Sequence, residues 1–166
     1  MMKKKLIILF VLLATVAVSG CINSPLDNIN PTMLKLSQDL ASGNTNYNDA
    51  VKYVNSHNYN TASEKIKVAV MNFNDGQNKI LEINNYKDDI NDTVYLEYID
   101  LVNEELKLKQ DATTNLQLAI QFFEAGDNVT ANSYVRTAND FMKKGVAIQQ
   151  KREILVNNHP NKFQSE

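Results

Sequence analysis

Between Ala62 and Ile83 the residues Ala62, Ile66, Ala69, Phe73, Gly76, Ile80 and Ile83 recur in strictly alternating steps of four and three. Only an α-helix lines residues at that spacing into one stripe, and a stripe this long must be buried against other helices. This segment alone commits the chain to helix-on-helix packing. Three further segments keep the rhythm. Met33, Leu36, Leu40, Tyr47, Ala50 and Val54 mark a first helix, expected to begin at Asn30-Pro31 as capping residue and first-turn proline and to end near His57 and Asn58. Ser42-Gly43-Asn44-Thr45-Asn46 are poor helix formers, so a kink or break is expected there. Thr61 with Glu64 reads as the capping box of the second helix, and Asn84 to Asn91 as a polar loop. Asp92 can cap the third, which carries Tyr95, Ile99, Val102, Leu106, Leu116, Ile120 and Phe123. Gly126 stops it, and Asp127 starts a fourth that runs to Asn157-Asn158 and His159-Pro160. Nothing alternates as a strand does.

An offset of 69 residues aligns the second helix and its preceding corner with the fourth: Tyr53 meets Phe122, Val54 Phe123, Thr61 Thr130, Ala62 Ala131, Ile66 Val135, Ala69 Ala138 and Gly76 Gly145. The chain is therefore read as a duplicated αα-hairpin. Phe123-Glu124-Ala125-Gly126-Asp127, followed by Ala131 and Ala138, resembles the corner of tetratricopeptide repeats, with a turn glycine and two small packing residues. The helices are about twice the length of that family's, so the expected architecture is not a solenoid. It is an all-α, up-down-up-down four-helix bundle about 40 Å long.

The N-terminus carries three consecutive lysines and then an apolar stretch from Leu6 to Val18, the n-region and h-region of a secretory signal. The stretch is shorter than the roughly 20 residues of a membrane span. It closes on Val18-Ser19-Gly20-Cys21, which resembles the lipobox of prokaryotic lipoproteins at every position. The resemblance implies cleavage between Gly20 and Cys21, a lipid on the Cys21 sulfur, and Cys21 as the new N-terminus. Cys21 is the chain's single cysteine, so no internal disulfide is available. The expected organisation is a lipoprotein signal peptide (1–20), a lipidated cysteine and tether (21–30), the bundle (31–158) and a C-terminal tail (159–166).

Without the first twenty residues, 14 basic and 19 acidic side chains remain, a net charge of −5. Nucleic acid is not expected as a partner, because phosphate affinity is built from clustered Lys and Arg. No HExxH, GxSxG, CxxC or Walker spacing occurs, so no catalytic set, metal site or cofactor is expected. His57 and His159 read as helix-end residues. Asp88, Asp89, Asn91, Asp92 and Asp100 suggest a calcium loop, but Val94 stands where that loop requires glycine. Asn91-Asp92-Thr93 and Asn128-Val129-Thr130 are glycosylation sequons that serve equally as capping chemistry. Gln77, Lys109 and Thr113 fall on buried stripes, where drift of the helical period accounts for them.

Glu82 to Asp111 is acidic and Phe141 to Glu166 basic. If the chain turns back at Gly126, Asp111 lies beside Lys143 and Glu104 beside Lys151, and these charges favour the antiparallel register. Topology also admits Lys143, Lys144, Lys151 and Arg152 facing anionic lipid headgroups. The expected function is a lipid-anchored, extracytoplasmic binding or adaptor module of the cell envelope, non-catalytic. It is held to the membrane through Cys21 and touches a protein partner through Tyr59 and Val129 at the far corners. The alternative is a bundle that senses or delivers a small molecule held between its helices.

Overall fold

The structure, a computed structural model, describes residues 25–163; Gly20, Cys21 and the rest of the lipobox lie outside these. Four long helices dominate: α1 (Pro25–Asn55), α2 (Tyr59–Asn84), α3 (Thr93–Glu124) and α4 (Asn128–Asn158). A single 3₁₀ turn, Lys87–Asp89, lies between α2 and α3, and a short α5 (Pro160–Phe163) follows α4. No strand forms among the described residues. α1 packs along α2 and α3 along α4, and the α2–α3 contact joins these two hairpins into an all-α four-helix bundle. α1 and α4 share no extensive seam, so one edge of the bundle stays open.

The second stripe is buried as its spacing predicts, with Ile66, Phe73, Ile80 and Ile83 fully inaccessible. The first helix differs from expectation at its start and at Ser42–Asn46, where a kink or break was expected. It begins at Pro25 and carries Pro31 inside its second turn, so the expected tether from Cys21 to Asn30 is partly helix. The cause is Ile29, which is buried one heptad before Leu36 and extends the apolar stripe backwards. Thr32 Oγ1 also donates to Glu82 Oε1 at 3.1 Å, tying the start of α1 to the end of α2. Losing one backbone hydrogen bond at Pro31 near a helix start costs less than losing this burial. At Ser42–Asn46 the helix is continuous. Gly43 is buried against the Phe73 ring, and Thr45 and Asn46 donate to the carbonyls of Ala41 and Ser42 one turn back. The glycine is a packing residue, not a breaker.

The second helix is capped three residues earlier than its apparent capping box. Asn58 Oδ1 accepts from the Thr61 N–H at 3.3 Å, and Thr61 itself lies inside α2. Asp92 and Asp127 cap α3 and α4 as expected, accepting from Val94 and Thr130. The tail expected after residue 158 is a packed element. Phe163 is buried against the rings of Tyr95 and Tyr98, each 5.2 Å away, and Lys162 pairs with Asp92.

Tyr47 sits in the core at 3% exposure, and its hydroxyl has no hydrogen-bond partner. Burial pushes its phenol up to about 12. Tyr47→Phe removes an unpaired polar group and raises stability by about 1 kcal/mol at neutral pH. Because the folded value lies above the ordinary 10.0, the contribution of the protonated phenol is complete below pH 10 and is lost as pH rises towards about 12. Urea unfolding of both proteins at pH 8 and pH 11 checks this, since the variant lacks that alkaline loss, worth about 2–3 kcal/mol at its limit.

Candidate functional site

Two places gather the polar and aromatic side chains that packing alone does not require: the corners at one end of the bundle, and the α3–α4 seam.

The corners repeat one another at the level of individual hydrogen bonds. In the first, the His57 N–H donates to the Val54 carbonyl and the Asn58 N–H to that of Tyr53; in the second, Gly126 donates to Phe123 and Asp127 to Phe122. This is a Schellman termination in both copies. It requires a residue with positive φ, supplied by Gly126 at +81° and by His57 at +59°. Tyr59 follows the first corner and is half-buried, its ring lying flat on Phe123 with centroids 5.1 Å apart. It ties the two hairpins together and also meets the His57 ring edge-on, with centroids 6.0 Å apart. Val129 stands free at 83% exposure. His57, Asn58, Tyr59, Asn60 and Glu124 line a shallow cleft between the corners. The Tyr59–Phe123 stack places both corners at one end, while the start of α1, the α2–α3 connection and α5 share the other.

At that other end the acidic loop is engaged with cations. Asp100 pairs with Lys87 at 2.5 Å, and Asp92 both caps α3 and pairs with Lys162. The Lys162 hydrogen bond and the backbone donors hold the Asp92 carboxyl below the usual carboxylate range. Among the described residues no three His, Cys, Asp or Glu side chains gather as a metal site. His159 is the C-terminal cap of α4, and Asn91 and Asn128 are both exposed.

The α3–α4 seam holds a charged cluster that the sequence reading missed. Glu105 and Lys109 are wholly inaccessible. Lys109 Nζ donates to Glu105 Oε1 at 2.6 Å and to Gln149 Oε1 at 3.1 Å. Arg152 Nε donates to Glu105 Oε2 at 3.0 Å, and its other nitrogen to the Tyr98 hydroxyl at 3.3 Å. Gln149 in turn donates to Glu153 at 2.9 Å. Burial pulls the Lys109 ammonium below its ordinary value against the opposing Glu105 charge. Burial acts the same way on Arg152, but there the Glu105 charge and the Tyr98 oxygen outweigh it and the guanidinium is raised.

Lys109 and Thr113 are thus not explained by drift. Thr113 Oγ1 donates back to the Lys109 carbonyl at 2.6 Å, and Lys109 is the centre of the cluster. The signal was present: Ala131, Ala138 and Gly145 recur in steps of seven, and the next step is Arg152. Its partner had to be a carboxylate on the facing stripe. The expected exposed pairs, Asp111 with Lys143 and Glu104 with Lys151, are not formed; the buried Glu105–Arg152 pair fixes the antiparallel register instead. Gln77 donates to Asn103 at 3.3 Å between α2 and α3.

No protein-family model, curated protein or solved structure matches the chain. No helix among the described residues is long and apolar enough to cross a membrane.

Proposed function

We propose that the chain is a lipid-anchored, extracytoplasmic helical module of the cell envelope, non-catalytic, with its membrane attachment on Cys21 and its protein-contact site at the paired corners. The observation that carries this reading is Val18-Ser19-Gly20-Cys21, which stands four residues before α1. α1 begins at the end of the bundle opposite Tyr59 and Val129. Helix α2, of 26 residues, then separates membrane and contact site by about 39 Å. An apolar side chain as open as Val129, beside the cleft next to Tyr59, suits recognition by a protein surface. A small molecule held between helices would need polar groups turned towards it. Those of the α3–α4 seam take one another as partners.

Two acyl chains hold a protein on a membrane, at about 0.8 kcal/mol for each buried methylene. Cys21→Ser therefore shifts the protein from the membrane fraction into the medium, or leaves it uncleaved. A variant that is processed and still fractionates with membranes refutes the anchor. For the corners, Val129→Ser leaves the melting temperature unchanged and lowers the yield of crosslinked partner on intact cells. Tyr59→Ser lowers that yield and also costs about 1 kcal/mol, through loss of the Phe123 stack. Crosslinks intact in Val129→Ser count against the corner as a contact site.

A further inference from the structure

One broad face of the α3–α4 hairpin carries two charge stripes of opposite sign. On α3, Glu97, Glu104 and Asp111 are exposed at steps of seven; on α4, Lys144 and Lys151 are exposed seven apart. Both stripes flank the same side of the seam. Phe122 of α3 stacks on Tyr134 of α4 there, with centroids 5.4 Å apart, and Lys144 lies over the Phe141 ring. Phe122, Tyr134 and Phe141 are half-buried, so an apolar ridge lies at the corner end of the two stripes, next to Lys144. Among the described residues, neither Glu104 nor Asp111 pairs with a cation of its own chain, and Lys151 pairs with no carboxylate. The register fixes heights along the bundle. A Cβ on Gly145 would lie 3.1 Å from Lys109 Cγ, and Arg152 meets Glu105, so Asp111 stands level with Lys144 and Glu104 level with Lys151.

We propose that this face pairs with a second copy of the chain, giving a two-fold dimer in which the acidic stripe of α3 faces the basic stripe of the partner's α4 at equal height. A two-fold axis parallel to the helices keeps every residue at its own height, so Asp111 meets the partner's Lys144 and Glu104 the partner's Lys151 in both seams at once. That self-complementarity is what an isologous interface demands. The direction of the axis, along the membrane normal, rests on the lipid-anchor reading; the pairing of the faces does not. Exposed ion pairs select register and partner more than they supply affinity, which falls to the aromatic ridge.

The test uses the full chain, expressed with two different tags in the same cells. Asp111→Cys in one copy and Lys144→Cys in the other give a tag-to-tag product with a short thiol crosslinker. Glu97→Cys with Lys144→Cys, mismatched in height by about 21 Å or four turns, gives about tenfold less. Glu104→Lys with Asp111→Lys in both copies lowers dimer yield about tenfold, and adding Lys144→Glu with Lys151→Glu in both copies restores it. Melting curves verify that each variant folds. Equal crosslinking at matched and mismatched heights, a charge reversal without effect, or a monomer mass for the detergent-purified chain overturns the proposal. Protein that stays with membranes yet gives no crosslink refutes the dimer alone. Height-matched crosslinks in a chain that does not fractionate with membranes support the pairing and refute the anchor.

Discussion

Glu105→Ala destabilises the bundle by about 3–5 kcal/mol, the largest effect of any single substitution considered, because it leaves two cations facing each other in a dry seam. Lys109 loses its 2.6 Å partner and Arg152 its 3.0 Å partner in one step. Urea unfolding at pH 7 measures the loss. The pH dependence carries the mechanism. Lys109 has a folded value below its ordinary one, so the fold binds fewer protons than the unfolded chain, and stability rises with pH up to about the ordinary value of 10.5. Without Glu105 the charged form loses its main support and keeps only the Gln149 oxygen and the Glu153 charge, so in the variant this rise begins at lower pH and is larger. Replacing the group together, Glu105→Leu with Lys109→Met and Arg152→Leu, leaves stability unchanged or higher by about 1–4 kcal/mol, as apolar replacements of buried ion pairs do elsewhere. What the triple variant loses is the constraint on register, visible as broadened resonances for α4.

Gly43→Val is the second large effect. Helix propensity alone would favour any replacement of a mid-helix glycine by about 0.5–1 kcal/mol. The packing decides otherwise: a Cβ at Gly43 would lie 2.5 Å from Cε1 of Phe73, a ring with no exposure. The ring has no room to retreat, and overpacking by about 2–3 kcal/mol outweighs the propensity gain. Thermal melting of Gly43→Val alone and with Phe73→Leu checks this, since the second substitution restores most of the loss. Gly145→Ala is the contrast. Its new Cβ would meet Lys109 Cγ at 3.1 Å, against 2.5 Å at Gly43, so the neighbour need give only a few tenths of an ångström and the effect is smaller.

Much of this arrangement was written in spacing. The stripe from Ala62 to Ile83, the duplicated corners and the caps at Asp92 and Asp127 are all local signals, and the helices they predict are the ones that form. The 69-residue offset sets His57 opposite Gly126, and His57 has the positive φ that position demands. What spacing did not disclose was set by contacts between helices. Pro31 read as a helix start and Ser42–Asn46 as an interruption because propensity is local, whereas Ile29 and Gly43 are held by side chains from elsewhere in the fold. The buried cluster was misread for the same reason. Lys109 has Glu105 one turn before it on α3, but the burial of that pair is explained only when α4 is laid beside α3 and brings Gln149 to Lys109 and Arg152 to Glu105. At the corners, Tyr59 and Val129 could be named from sequence. That one is pinned to the opposite hairpin and the other stands free could not.

The open edge has a consequence for how the molecule breathes. α2 is clasped between α1 and α3, whereas α4 rests on α3 and the four-residue α5. Peeling α4 away exposes a single seam, lined by Ala131, Ala138, Gly145, Ile148 and Leu155, and a charge cluster that water solvates; peeling α2 away would open two seams and separate both hairpins. Partial opening therefore follows a hierarchy, with backbone amides of α4 exchanging with solvent deuterium through a low-energy excursion and those of α2 waiting for global unfolding. A second surface clamped over α4 would slow that excursion, so the exchange rate of this one helix reports when the bundle is held by something other than itself.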